Sequence, residues 1–343
     1  MFRAHGMGLA NCSGIANLVR NGSMKTSLLC AALLLALVAG RASAADFPSQ
    51  PIRFIIPFSA GGPTDTAGRL IAEPLRRQLG QPIVIENRPG ASGVPGTEAV
   101  VNGPNDGYTL VVGGIAPIVL VPAVKKLRYD VDKDLVPLGL IWRSPQVFAV
   151  RASLDVKTVA DFVAYAKANT GKVTIGSAGI GTVTHLANEL FKDEAGITFT
   201  HVPYRSTSNS ITDLLGGQID AIFGDVATLA PQVKAGAIKA LAITADKRSP
   251  LLPDLPTMAE AGFPNVKTEV WFGLLAPART PAPVLDQLKR AVAAAQEDPE
   301  YKASLLKYGT VLNNVGAEQF ADFIHAESKR WTPILKKADV RFE

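Results

Sequence analysis

The sequence predicts an α/β protein, because short apolar runs of strand type alternate with helical patterns along most of its length. Two glycine-rich turns each lead from a strand into a helix start, a junction that attracts anions. Roughly 300 residues follow a predicted N-terminal export signal, and that length favours two lobes rather than one.

The N-terminus has the pattern of a secretory signal peptide. Met24-Lys25 precedes an apolar run at 28–39, and Ala42-Ser43-Ala44 supplies the small residues that signal peptidase recognises. The run is too short, and wrongly flanked, for a transmembrane helix. We therefore predict that residues 1–44 are a signal peptide with an upstream extension, and that the mature chain is exported.

Removal of this segment changes the composition of the chain. Both cysteines, Cys12 and Cys30, lie within it, so the exported protein is expected to have neither a disulfide nor a thiol nucleophile. Four basic and no acidic residues lie in 1–44, so the net charge falls from +5 to 5 − 4 = +1. No basic run with interleaved aromatic residues remains, which argues against binding to nucleic acid.

Strand and helix patterns alternate through the mature chain. Strands are predicted at 52–58, 82–86, 108–112, 147–150, 173–175, 198–202, 221–223, 240–243 and 270–275. Helices are predicted at 65–79, 94–101, 158–168, 184–193, 207–216, 226–235, 283–296, 299–307 and 317–336. Pro74 conflicts with its helix, since an interior proline costs about 3 kcal/mol. We expect a kink or a new helix start there.

The first glycine-rich turn follows the strand at 52–58. Gly61 and Gly62 permit positive φ and the close approach of a ligand to the backbone. Thr64 and Asp65 are residue types that cap helices, and they precede an apolar-periodic segment. The unpaired N–H groups and the dipole of such a helix start attract a carboxylate or phosphate. An ordinary strand-to-helix turn is the alternative interpretation.

A second turn between Val173 and Leu186 repeats this arrangement. Gly176, Gly179 and Gly181 follow the strand, and the hydroxyl residues Ser177, Thr182 and Thr184 accompany them. Two helix starts far apart in sequence can face each other across a cleft and hold one acid between them. The alternative, that both are ordinary α/β turns, stays open at this point.

Common enzyme motifs are missing. Ile175 occupies the first glycine position of a G-x-S-x-G elbow around Ser177, and no G-x-x-x-x-G-K-[ST] loop follows Phe58. Thr184 stands where the dinucleotide fingerprint requires glycine or alanine. The histidines of the mature chain lack zinc-ligand spacing. The sequence predicts no catalytic residue, no nucleophile–base pair, no metal and no cofactor, and an exported enzyme is a minor alternative.

Several segments, taken together and in order, resemble a known family. They are Phe58–Asp65, Glu86–Gly90, Pro104–Leu110, Gly176–Gly179, His201–Arg205, Asp213–Gln218, Lys247–Pro250, Pro256-Thr257 and Trp271–Leu274. These segments are similar to those of the periplasmic solute receptors of tripartite tricarboxylate transporters, also called Bug receptors after the Bordetella uptake genes. The resemblance covers essentially all of 47–343.

The resemblance implies a type II periplasmic-binding-protein fold, in which two crossing strands join two α/β lobes and the ligand cleft lies between them. Lobe 1 would take 47–147 plus 269–343, lobe 2 would take 148–268, and the crossing strands would be near 147–150 and 270–275. It also implies a monomer in the periplasm that binds a small carboxylate and delivers it to the membrane permease subunits. A sensor of the same fold that signals to a membrane kinase is the alternative.

The resemblance further implies that the two turns hold one carboxylate from opposite walls. The lobe 1 wall would comprise Phe58, Ala60, Gly61, Gly62, Thr64, Asp65, Gly114 and Ala116. The lobe 2 wall would comprise Ser177, Ala178, Gly179, Thr182 and Thr184, with Tyr204 and Asp225 beside them. Asp65 as a helix cap, Tyr204 as a brace and Asp225 as a strand-end cap are the structural alternatives.

The sequence departs from the family pattern at positions expected to line the ligand site. The segment 113–122 is poor in side-chain donors, and Ile180 follows Gly179 where relatives often have asparagine, with Val183 nearby. Both differences remove polar groups from the expected walls. We therefore expect a ligand with one principal carboxylate and an apolar or aromatic body.

Overall fold

A computed structural model describes residues 47–310, 315–337, 340 and 342 of the chain. The predicted signal peptide and both cysteines lie outside the described residues. The strands are β1 (Ile52–Ile56), β2 (Ile83–Asn87), β3 (Thr109–Gly114), β4 (Leu135–Arg151), β5 (Thr174–Ser177), β6 (Thr200–Pro203), β7 (Ala221–Asp225), β8 (Ile238–Ile243) and β9 (Glu269–Pro277).

Helices alternate with these strands. They are α1 (Pro63–Leu79), α2 (Val94–Val101), α3 (Val121–Val124), α4 (Val131–Asp134), α5 (Val159–Ala168), α6 (Val183–Ala195), α7 (Thr207–Leu215), α8 (Val226–Lys234), α9 (Ala282–Gln296), α10 (Pro299–Lys307) and α11 (Ala317–Lys337). A 3₁₀ turn precedes α2, and a π-helical turn at Ala116–Leu120 precedes α3. The predicted alternation of strands and helices is confirmed.

The strands are hydrogen-bonded in two groups that share β4. In the first group β2, β1 and β3 are parallel, and β9 is antiparallel to both β3 and β4. In the second group β6, β5 and β7 are parallel, and β4 is antiparallel to both β7 and β8. Residues 135–145 of β4 pair with β9, and residues 146–151 pair with β7 and β8.

The register brings the carboxyl ends of the parallel strands to the point where β4 passes from one group to the other. Gly114 at the end of β3 pairs with Phe272 near the start of β9, and Glu269 at that start pairs with Pro145 of β4. The next residue, Gln146, pairs with Asp225 at the end of β7. The carboxyl ends of β1 and β3 and those of β5 and β7 therefore lie along one continuous end of the sheet.

Strand β4 is much longer than the predicted strand at 147–150. Pro137, Gly139 and Pro145 lie within it, and proline and glycine in a sequence argue against a strand. Two register shifts, at Pro137/Gly139 and at Leu140/Trp142, accommodate the irregular residues while the pairing with β9 continues. Burial on both sides of this strand outweighs its unfavourable composition.

Helix α1 runs without interruption through Pro74, so the predicted new helix start there is wrong. Pro74 is buried, and the apolar face formed by Ile71, Leu75 and Leu79 packs into the core. A proline removes one intrahelical hydrogen bond, and tertiary packing of the amphipathic face offsets that cost.

A buried carboxylate joins two tryptophans beneath the β9 strand. The indole N–H groups of Trp271 on β9 and Trp331 on α11 both donate to Oε2 of Glu327, at 3.2 and 2.9 Å. The Trp271 ring also makes an edge contact with Phe320, at 5.6 Å between ring centroids. Glu327 thereby attaches the last helix to the central strands.

Removing this carboxylate tests its contribution to stability. We expect Glu327→Ala to lower the free energy of unfolding by about 2–4 kcal/mol, because each buried donor left unpaired costs about 1–3 kcal/mol. Glu318→Ala, at an exposed position in the first turn of the same helix, is the control and should cost less than about 1 kcal/mol. Urea unfolding measures both variants, and equal losses would contradict the role assigned to Glu327.

Candidate functional site

The turn after β1 is built around the carboxylate of Asp65. It accepts hydrogen bonds from the Gly61 N–H at 2.9 Å, from Arg69 Nε at 2.8 Å and from Asn87 Nδ2 at 3.0 Å. Burial alone would raise the pKa of Asp65, but these three donors lower it to about 2. Both carboxylate oxygens are occupied, so Asp65 orients the turn and its charge is compensated within the protein.

The start of α1 supplies free backbone donors. Gly62, not Thr64 or Asp65, is the N-cap, and no side chain caps it. Pro63 has no N–H, so the N–H groups of Thr64 and Asp65 are those without an intrahelical acceptor. Gly61 has φ +79°, as the sequence predicts, and is exposed at the turn. The turn can therefore present main-chain donors to an anion.

The second turn is held together by its own hydroxyl groups. Ala178 N–H donates to Thr184 Oγ1 at 2.9 Å, and Gly179 N–H donates to Ser177 Oγ at 3.1 Å. The Thr182 hydroxyl donates to the Gly179 carbonyl at 2.6 Å, and Thr182 is the N-cap of α6. The three hydroxyls predicted to face a ligand are thus engaged within the turn.

Two stacked imidazoles lie beneath this turn. The rings of His185 and His201 are 4.4 Å apart, and Gly181 N–H donates to Nδ1 of His185 at 3.2 Å. Burial lowers the pKa of His185, and burial next to His185 lowers that of His201 to about 4. Both rings are therefore neutral at neutral pH, and an uncharged imidazole can accept the Gly181 hydrogen bond.

The Ser177 hydroxyl lies 2.6 Å from Nε2 of His201. The sequence predicts no nucleophile–base pair, and this contact corrects that prediction, because the pairing of β5 with β6 brings the two residues together. Ser177 has no exposed surface. The contact therefore fixes the base of the second turn.

The other predicted site residues follow neighbouring strands at the same edge. The Tyr204 hydroxyl donates to Asp213 at 2.7 Å, which ties the end of β6 to α7. Gln146 Nε2 donates to Asp225 Oδ1 at 2.9 Å. Gly114 lies against Phe272, since a Cβ at this glycine would be 2.9 Å from that ring.

The apolar residues near the site divide between core and surface. Within 113–122, Ile115, Ile118 and Val119 are buried in the core, and Ala116 is half-buried. Val183 is also buried, whereas 62% of Ile180 is exposed on the second turn. Phe58 is half-buried with its ring against Gly93. Ala60 is exposed.

The structure thus brings the predicted residues to the carboxyl ends of parallel strands, where open α/β sheets bind ligands. Sequence reasoning missed Ser144 and Gln146, which lie at the same edge on the unpredicted part of β4. Their signal in the sequence is that they are uncharged polar residues, with Arg143 beside them, within a largely apolar stretch. Among the residues that the structure describes, no helix has the length and apolar composition to cross a membrane.

Comparison with known proteins identifies the family. The sequence model of the tripartite tricarboxylate transporter family receptor matches residues 67–340. The chain belongs to this receptor family. Protein BugT of Bordetella pertussis is 31% identical over 308 residues, which cover 89% of this chain and 94% of BugT.

Solved structures agree with this membership. R. palustris Rpa4515 with adipate is 34% identical, with a TM-score of 0.75 over 86% of this chain and 99% of that one. MatC from Rhodopseudomonas palustris with bound malate is 32% identical, with a TM-score of 0.72 over 84% of this chain and 100% of MatC. Receptors of this family are periplasmic solute-binding proteins, and the predicted two-lobed fold is confirmed; the lobe boundaries stay a prediction.

The pH dependence of stability tests the role of Asp65. Its pKa is 3.8 ordinarily and about 2 in the fold, so its contribution is complete above about pH 4 and is lost as the pH falls toward about 2. We expect Asp65→Asn to cost about 2 kcal/mol of unfolding free energy at neutral pH and little near pH 2, since one pKa unit corresponds to about 1.4 kcal/mol.

Urea unfolding at several pH values measures this difference. Glu73→Gln is the matched control, because Glu73 lies on the exposed face of the same helix and should change stability little at any pH. A cost of Asp65→Asn that does not change with pH would show that the carboxylate charge does not hold the turn.

Proposed function

We propose that this protein is a periplasmic receptor that captures a small carboxylate with an apolar or aromatic body between its two glycine-rich turns. Two lobes, 47–147 plus 269–343 and 148–268, close around the ligand. The receptor then delivers it to the membrane permease subunits of a tripartite tricarboxylate-type transporter. Residues 1–44 would direct export and then be removed, and the mature receptor would act as a monomer.

The observation that carries this proposal is the position of the two turns. Each follows the carboxyl end of a parallel strand, and the two edges are continuous through β4 at Pro145 and Gln146. The start of α1 leaves the N–H groups of Thr64 and Asp65 without a helical or side-chain acceptor. Main-chain donors of this kind hold a carboxylate well, because they are fixed by the fold before the ligand arrives.

The chemistry of the ligand has separate support. Structures of two relatives contain adipate and malate, which are both small carboxylates. The exposed Ile180 and the half-buried Phe58 supply apolar surface beside the two turns. The internal hydrogen bonds of the second turn leave it few polar groups for a ligand, which favours an apolar body over a third carboxylate.

Closure follows from differential binding. A carboxylate held by one turn makes further contacts only when the other turn approaches, so the ligand stabilises the closed form over the open form. Charge-assisted hydrogen bonds contribute about 1.5–3 kcal/mol each. A few of these, with apolar burial and less the ordering cost, reach the roughly −8 kcal/mol of micromolar affinity.

A titration of the purified protein tests the proposal. We expect benzoate-type acids to bind more tightly than citrate in calorimetry and to raise the unfolding temperature. Thr184→Val removes the acceptor of the Ala178 N–H and should weaken binding about tenfold, which is 1.4 kcal/mol and the value of one ordinary hydrogen bond. Thr170→Val, which removes an exposed hydroxyl bonded to Lys167, is the control.

Tight binding of citrate alone would rule out the apolar body, and no binding of any carboxylic acid would rule out the receptor role. Equal effects of Thr184→Val and Thr170→Val would show that the second turn does not grip the ligand.

A further inference from the structure

Three polar side chains meet where β4 passes between the two groups of strands. Ser144 and Gln146 are two residues apart on β4, so their side chains are on the same side of the strand. Gln146 pairs with Asp225 and donates its Nε2 hydrogen to Asp225 Oδ1 at 2.9 Å. The Ser144 hydroxyl acts on the same carboxyl as a hydrogen-bond donor, which lowers the pKa of Asp225 against the effect of burial. We call these three residues the junction triad.

The junction triad has acceptor atoms that the protein leaves unused. Gln146 has no exposed surface and Ser144 is 2% exposed, yet no group among the described residues donates a hydrogen bond to Gln146 Oε1 or Ser144 Oγ. A buried polar atom without a partner costs about 1–3 kcal/mol. An unsatisfied group of this kind calls for a specific explanation, and next to a cleft a bound ligand is one.

The carboxyl group of Asp225 accepts hydrogen bonds but has no cation beside it in the part of the chain that the structure describes. Burial raises its pKa, and no lysine, arginine or histidine among the described residues acts on it to lower that pKa. Asp65 differs, since Arg69 neutralises it. Asp225 nevertheless keeps some exposed surface at the cleft edge, so a ligand can reach it.

We propose that the junction triad is a subsite for a protonated amine, so the bound carboxylate also carries an ammonium group. An ammonium has three N–H donors, and the triad offers three acceptors: Asp225 Oδ2, Gln146 Oε1 and Ser144 Oγ. A hydroxyl group would satisfy one of these acceptors and leave the Asp225 charge without a partner. A second carboxylate would be repelled by Asp225.

The position of the triad suits a small ligand. Strand β7 lies beside β5, with Gly176 paired to Ile222, so Asp225 and the second turn follow adjacent strands about 4.8 Å apart. One molecule can therefore place its carboxylate between the turns and its amine at the junction triad. This inference rests on the proposed receptor function and adds the ammonium as a second group of the ligand that the receptor recognises.

Matched pairs of acids with and without an amine test the inference. Suitable probes are phenylalanine with 3-phenylpropanoate, 4-(aminomethyl)benzoate with 4-methylbenzoate, and 5-aminopentanoate with pentanoate. We expect at least one amine-bearing member to bind the purified protein about tenfold or more tightly than its partner, since a charged hydrogen bond contributes about 1.5–3 kcal/mol.

Substitutions assign the preference to the triad. Asp225→Asn keeps the shape of the side chain and removes its charge. The affinity of the amine-bearing acid divided by that of its amine-free partner should then fall to near one, mainly because the amine-bearing acid binds more weakly. Gln146→Met should reduce the same ratio less. Asp220→Asn is the matched control, because Asp220 precedes the other end of β7 and pairs with Arg151; it should lower stability and leave the ratio unchanged.

The unfolding temperature of the ligand-free protein separates a binding role from a structural one. Asp225→Asn should leave it equal or higher, since a buried charge without a cation is removed; a clear decrease would assign Asp225 to the scaffold and overturn the inference. Binding of both members of every pair with equal affinity would also overturn it while leaving the receptor function intact. Failure of all the acids to bind would instead reject the receptor function itself.

Discussion

The strand β4 is the element on which the arrangement of the site depends. Its first part pairs with β9 and its last part pairs with β7 and β8, so one continuous backbone belongs to both groups of strands. This continuity fixes the carboxyl ends of β1 and β3 relative to the carboxyl ends of β5 and β7. The two turns are 120 residues apart in sequence when counted from Gly61 to Gly181, and this strand pairing relates them in space.

The two turns are stabilised by different chemistry. The first is organised by the charge of Asp65, and the second by hydroxyl groups above two neutral imidazoles. A charged anchor holds the backbone strongly but places a negative group near an anionic ligand, and Arg69 and Asn87 offset that effect. The neutral anchor avoids the repulsion but uses the N–H groups of Ala178, Gly179 and Gly181 internally.

The buried carboxylates of this protein therefore differ in how fully the fold compensates their charge. Asp65 and Glu327 are buried carboxylates whose donors compensate them, and they stabilise the scaffold. Asp225 is a buried carboxyl that hydrogen bonds from Gln146 and Ser144 reach but no cation among the described residues neutralises, and unused acceptors lie beside it. The scaffold carries this unfavourable group next to the cleft, where a ligand can supply the missing donor.

The sequence by itself determined the alternation of strands and helices, the two glycine-rich turns and the family, because these features depend on local periodicity, turn residues and ordered motifs. It misjudged Pro74 and most of β4, where buried packing outweighs local propensity. Only the tertiary structure decided which N–H groups and side chains are already bonded. The Ser177–His201 and Gln146–Asp225 contacts join residues that are distant in the chain. Hydrogen-bond partners of this kind are set by strand register, which no local pattern encodes.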